Sequence, residues 1–131
     1  MAITKTKVLD NKAITLATTG DADMVFVRGA KAVGFLFTSS ASEVFAAAAA
    51  FQVQVRTETN ESILTPADPG KHGVEIANAA DLNGAAANAG IIVLVKPSDS
   101  MPVFLVKEMG VRVTAGAANM TDVDCHAFVY Y

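Results

Sequence analysis

The sequence has few of the residues that stabilise small secreted proteins or stack against sugars. It contains one cysteine, Cys125, and no tryptophan in 131 residues. A single cysteine cannot form an internal disulfide, so the fold must depend on its hydrophobic core. The only tyrosines are Tyr130 and Tyr131, which leaves a poor aromatic platform for stacking sugars.

Charge is also scarce. Lys and Arg number 10 and Asp and Glu 13, a charged fraction of 18% and a net charge of −3. The densest basic stretch, Lys5 and Lys7 with Lys12 beyond, is no concentrated patch. Because binding to phosphates requires a positive patch, we expect no nucleic-acid partner. The shortage of charge favours a surface partly covered by protein partners, although many small Ala and Gly residues also raise the apolar fraction.

Long hydrophobic runs are absent as well. The longest, Val44 to Phe51, has eight residues, whereas a membrane-spanning helix needs about 20. The N-terminus is interrupted by charged residues before any apolar core of a signal peptide could form. We therefore expect synthesis in a cytoplasm, no export by a standard N-terminal signal and no membrane association. The length predicts a single domain over residues 1–131.

The strongest positive signal is a two-residue alternation of apolar and polar side chains in many short segments. In one of them Phe51, Val53 and Val55 alternate with Gln52 and Gln54. This pattern predicts an all-β fold, a β-sandwich or jelly roll of about seven to nine strands. The alternation also places Ile14 and Leu16 on one face, and Gly110 is interpreted as a turn or a bulge. The predicted core comprises Phe35, Phe37, Val53, Val55, Val93, Val95, Val113 and Val129.

One segment departs from this alternation. Ser40 and Glu43 have the spacing of a capping box, and an Ala-rich run follows. We predict one short helix from about Glu43 to Ala50, with a loop of small residues as the alternative. Two connections, residues 60–75 and 78–90, are rich in turn-forming residues, and long loops of this kind often carry function.

Few residues offer catalytic or metal-binding chemistry. On a strand, Asp122, Asp124 and His126 share one face at two-residue steps and could present ligands to a metal. Nothing supplies the usual distant second pair of ligands, so a solvated strand face is the preferred interpretation, with no metal and no cofactor. Cys125 falls on the opposite, apolar face, as a buried cysteine of low reactivity does. We predict no catalytic residue and no enzymatic activity.

The final strand contains the candidate interaction site. If Cys125 and Val129 face the core, then His126, Phe128 and Tyr130 face outward. Outward aromatic rings two residues apart are enriched at protein interfaces. We predict that Phe128, Tyr130 and His126 contact another protein chain. The alternative is that the N-terminal segment from Ile3 to Leu9 folds back over the two rings.

The order of several segments adds a resemblance. VGFLFTSSA, FQVQVRTETNES, IIVLVK, VFLVKEMGVRVTAG and HAFVYY follow one another within residues 23–131. This order resembles small β-sandwich virion structural proteins of tailed bacteriophages, including head-decoration (cement) proteins. The resemblance implies a location in the virion capsid, where the chain would stabilise an assembled head. It also implies two partners: further copies of the chain, as a homo-oligomer such as a trimer, and a major capsid protein.

No functional residue is transferred by this resemblance, because it rests on the order of segments and not on a motif. A function of another class also fits the residues. The chain could be a non-catalytic β-sandwich module that binds a ligand or a glycan through its loops.

Overall fold

The computed structural model describes residues 2–39, 50–64, 72–76, 90–115 and 119–131. Ten strands lie within these residues, a little more than the seven to nine predicted. Their bounds are β1 Ile3–Ile14, β2 Thr19–Asp21, β3 Val25–Phe26, β4 Ala32–Ser39, β5 Ala50–Arg56, β6 Ser62–Leu64, β7 Val74–Ile76, β8 Gly90–Pro97, β9 Glu108–Thr114 and β10 Met120–Tyr130.

The strands form two antiparallel sheets of five strands each, which confirms the all-β prediction. The first sheet has the order β1-β10-β4-β8-β7. The second has the order β2-β9-β5-β6, with β3 also paired to β9. The chain passes repeatedly from one sheet to the other, so that each sheet is built from segments far apart in sequence.

The antiparallel pairs are nested around the middle of the chain. β1 pairs with β10, β2 with β9, β4 with β8 and β5 with β6. Each pair therefore encloses the next, as in one long hairpin that has been rolled up. Two further pairings, β10 with β4 and β9 with β5, join the rolled segments into the two sheets.

The inward side chains of both sheets share one hydrophobic core, which makes the arrangement sandwich-like. All eight predicted core residues are at most 3% exposed, so the predicted core is confirmed. Phe37 of the first sheet and Phe51 of the second meet in this core, with ring centroids 5.1 Å apart and planes tilted by 58°. Tilted rings at this separation are a favourable aromatic arrangement.

Two local predictions are wrong. Leu16 is 61% exposed, because β1 ends at Ile14 and a turn closed by the Thr18 N–H and the Thr15 carbonyl (3.1 Å) redirects the chain. Gly110 is neither a turn nor a bulge but an interior residue of β9. A Cβ at Gly110 would lie 3.2 Å from the Ala22 carbonyl oxygen and 2.9 Å from the Met24 sulfur, so a glycine suits the close approach of the segment between β2 and β3.

The predicted helix and the two long connections lie partly outside the described residues. The predicted helix lies outside the described residues over 43–49, and its last residue, Ala50, is instead the first residue of β5. The connection over 60–75 is interrupted by β6 and by the start of β7. Most of the other predicted loop, residues 78–89, lies outside the described residues. Within the described ranges, no helix is long and apolar enough to cross a membrane.

We expect Phe37→Ala to lower the free energy of unfolding by about 3–5 kcal/mol, because the fully buried ring leaves a cavity in the core. Urea denaturation would measure the loss. Phe26→Ala is the matched control, since Phe26 is 49% exposed and should give a clearly smaller loss. Equal losses in the two variants would contradict the assignment of Phe37 to the shared core.

Candidate interaction surface

The outer face of the second sheet is mainly polar, with Phe26 and Leu64 as apolar exceptions. Arg112 and Asp21 form an ion pair on neighbouring strands, with 2.6 Å between guanidinium nitrogen and carboxylate oxygen. Arg56 and Glu108 form another at 3.1 Å. The outward side chains of β5 between them include Gln52 and Gln54. This face is suited to contact with water.

The outer face of the first sheet is apolar. Because directly opposed residues of neighbouring strands point to the same side, the registers identify its rows. One row joins Phe128, Gly34 and Leu94, and the next joins His126, Leu36 and Ile92. We call the apolar members of this face the outer patch, which comprises Ile3, Gly34, Leu36, Ile92, Leu94, Phe128 and Tyr130.

The outer patch is not flat. A depression of about 250 Å³ is lined by all its members except Ile3. Gly34 contributes no side chain there, and a Cβ added to it would lie 3.8 Å from Cε2 of Tyr130, at ordinary contact distance. Ile92, which forms part of the wall of the depression, is 69% exposed. The face thus combines a recess with a projecting apolar side chain.

Charged side chains of both signs border the outer patch. At the β1 margin, Lys7 Nζ lies 2.8 Å from Asp10 and 3.5 Å from Asp124. Lys5 Nζ lies 5.9 Å from the centroid of the Phe128 ring, at the distance of a cation–π contact. At the opposite margin, the pair is Lys96 with Glu75, at 3.4 Å.

The structure brings the three predicted interface residues onto this face. Phe128 and Tyr130 point outward and are half-buried, and His126 lies in the adjacent row. The alternative in which the segment from Ile3 to Leu9 covers the rings is wrong, because that segment pairs edge to edge with β10 as part of β1.

Sequence reasoning missed Leu36, Ile92 and Leu94. The run around Ile92 and Leu94 is continuously apolar, which is typical of a central strand and does not by itself mark an outward face. The two-residue alternation nevertheless indicates that Ile92 and Leu94 point outward. Since Val93 was assigned to the core, its two neighbours had to point outward.

The acidic cluster near the end of the chain does not form as the two-residue spacing suggested. Asp122 has a positive φ of 53°, and both residues between the buried Met120 and Val123 are exposed, which breaks the alternation. Asp124 instead accepts a hydrogen bond from the Asn11 backbone N–H at 2.8 Å. Among the described residues, no group of three His, Cys, Asp or Glu side chains is placed to hold a metal ion.

Cys125 lies on the inward face of β10 and is fully buried. Burial raises the pKa of its thiol to about 12. Because the thiolate is the reactive form of cysteine, this environment disfavours a nucleophilic role.

A second cleft, of about 630 Å³, lies between the β3–β4 connection and the segment after β8 and meets the margin of the outer patch at Lys96. Three cations, Arg28, Lys31 and Lys96, are among the side chains that line it. Arg28 is engaged in an ion pair with Glu58 and lies over the Phe26 ring, 5.1 Å from its centroid. Lys96 is paired with Glu75, and the acid Asp99 also lines the cleft. The cleft therefore combines charges of both signs, with cations in excess among the lining residues, and partly apolar walls.

Fold and surface together define a two-sheet all-β protein with one apolar outer face. No protein-family model and no curated protein matches its sequence. Among solved structures, the SPBc2 prophage-derived protein YomS is similar, with a TM-score of 0.50 and 10% sequence identity over 98% of this chain and 95% of that chain. At this identity the similarity concerns the fold alone.

Two other solved structures are more distant. A chain of infectious bursal disease virus, Gx strain, has a TM-score of 0.45 at 9% identity, over 98% of this chain and 31% of that chain. CpGH89CBM32-4 from Clostridium perfringens has a TM-score of 0.35 at 12% identity, over 98% and 94% of the two chains. Neither similarity carries an argument about function.

The Asp124 carboxylate should make stability depend on pH. The Asn11 N–H, together with Lys7 and His126, lowers its pKa below the ordinary value of an aspartate. Because the pKa is lower in the folded state, the contribution to stability is present above the unfolded-state pKa of about 3.9 and is lost as pH falls through the folded-state pKa. We expect Asp124→Asn to destabilise the protein at neutral pH, with a smaller difference from the natural sequence in strong acid. Urea denaturation at both pH values is the measurement, and a difference independent of pH would contradict the explanation.

Proposed function

We propose that this chain is a virion structural protein of a tailed phage, a non-catalytic head-decoration protein that acts through protein–protein contacts. The observation that carries the proposal is the apolar outer face of the first sheet, beside a second sheet whose outer face has ion pairs. A soluble chain gains nothing by exposing clustered apolar side chains to water. A contiguous apolar patch with a polar border is typical of a surface that binds protein.

The topology supports the phage part of this proposal. We infer that the two sheets form a jelly roll, because the nested strand pairs describe a hairpin rolled into two packed sheets. Jelly rolls are a recurrent architecture of viral capsid domains. The fold shared with a prophage-derived protein agrees with the proposal.

The physical mechanism is preferential binding to the assembled shell. A decoration protein that contacts neighbouring capsid subunits binds the assembled form and not the separated subunits, so it stabilises the shell by mass action. Contacts made by several copies add their free energies when the geometry allows simultaneous binding. The chain would be synthesised in the host cytoplasm and end in the virion, with the major capsid protein and its own copies as partners.

The double substitution Phe128→Ser with Tyr130→Ser should leave the chain folded and reduce binding to particles by roughly tenfold or more, since loss of aromatic anchors commonly costs over about 1.4 kcal/mol. Co-sedimentation with purified phage heads is the measurement. The matched control is Gln52→Ser with Gln54→Ser, which alters the same number of outward side chains on the second sheet. Undiminished binding of the aromatic variant would show that these rings are not anchors.

A second candidate is a ligand- or glycan-binding module, favoured by the cleft that Arg28, Lys31 and Lys96 line. Its volume is within the usual range of small-molecule sites. Cationic side chains in a partly apolar cleft suit a carboxylated ligand, such as an acidic sugar, because the charge is paired while the apolar part is removed from water.

Titration with galacturonic acid oligomers, followed by the amide NMR signals of Lys31 and Ser98, tests this second candidate. A binding module should show saturable shifts at these residues, weakened by Lys31→Glu, because that change reverses a charge in the cleft. Lys12→Glu, on the exposed part of β1, is the charge-matched control. Unchanged spectra at high ligand concentration would exclude acidic sugars of this class as ligands.

A further inference from the structure

We propose that the outer patch binds a second copy of this chain, so that two first sheets pack face to face about a two-fold axis. This inference rests on the proposed function and specifies which partner occupies the face that the function requires. The paired form would arise in solution, before any contact with a particle.

The first argument is area. Four strands spaced by about 4.8 Å, with about eight residues of about 3.4 Å each, give a face of roughly 19 by 27 Å, and the three-residue β7 brings it to about 570 Å² in projection. Side chains that stand above this plane increase the accessible area. Stable interfaces bury about 800 Å² on each partner, so one such face is large enough for a dimer.

The second argument is shape. An interface between identical copies related by a two-fold axis needs a surface that is complementary to itself. The outer patch has both parts on one face: the depression at Gly34 and the projecting Ile92, in adjacent rows of the sheet. Each copy can therefore offer an apolar side chain to the recess of the other.

The third argument is charge. The margin at β1 carries Lys5, Lys7 and Asp124, and the margin at β7 carries Glu75 and Lys96. A two-fold axis between the two sheets places each charged margin of one copy against a charged margin of the other. Because both margins carry both signs, opposite charges can meet on either side, and two copies of the face do not repel each other as two faces of one sign would.

The test is the oligomeric state of the isolated chain. Sedimentation equilibrium without particles should show a dimer. Ile92→Glu should weaken the dimer at least tenfold, because a carboxylate would lose its water on entering the apolar recess. Gly34→Ala should also weaken it. The added methyl group lies at ordinary contact distance from Tyr130 within one chain but fills part of the recess that the second copy needs.

The control is Leu16→Glu, which places the same charge at an apolar side chain that is 61% exposed and outside the outer patch. This variant should remain a dimer. Circular dichroism of all three variants should match the natural sequence, which separates loss of association from loss of fold. A dimer that neither Ile92→Glu nor Gly34→Ala weakens would overturn the inference, since another surface would then form it.

Co-sedimentation with phage heads separates this inference from the proposed function. A chain that is monomeric alone, yet loses particle binding through Ile92→Glu, would overturn self-pairing and leave the virion role in place, with a capsid subunit on the outer patch. A dimer that depends on Ile92 and never binds particles would overturn the virion role and leave self-pairing in place.

Discussion

Side chains along a β-strand alternate between the two faces of its sheet, so two packed sheets have two inner faces and two outer faces. The inner faces of this protein share one core, in which Phe37 and Phe51 meet. The outer faces have no such partner within the described chain. The side chains on each outer face are the residues that alternate with the core residues along each strand.

The two outer faces differ in composition. On the second sheet, ion pairs such as Arg112 with Asp21 join neighbouring strands, and the surface is compatible with water. On the first sheet, Leu36, Ile92 and Leu94 place apolar groups outward. These side chains add nothing to the shared core. The proposed function and the proposed self-pairing both give them a contact outside the core, and both therefore depend on this face.

The strand β10 contributes side chains both to the shared core and to the outer patch. Its inward side chains include the buried Cys125, and its outward ones include Phe128 and Tyr130. It lies between β1 and β4, so its outward rings are supported on both sides. Supported rings lose little conformational freedom on binding, which favours their use as anchors.

The sequence alone determined the features that depend on local alternation. The period of two identified the core positions, including Phe37, and the outward direction of Phe128 and Tyr130, because both follow from the geometry of one strand. It did not reveal where β1 ends, since the turn at Thr15 and Thr18 is specified by hydrogen bonds rather than by hydrophobicity. Leu16 was misassigned for that reason.

Only the tertiary structure decided which residues share the outer face. Gly34, Ile92 and Phe128 lie on three strands far apart in the chain, and their adjacency depends on the register of the antiparallel pairs. Asp124 and Asn11 meet for the same reason. Strand register is fixed by the packing of the whole core and not by any single segment. The alternation therefore determined the direction of side chains within regular strands, and the fold determined their neighbours.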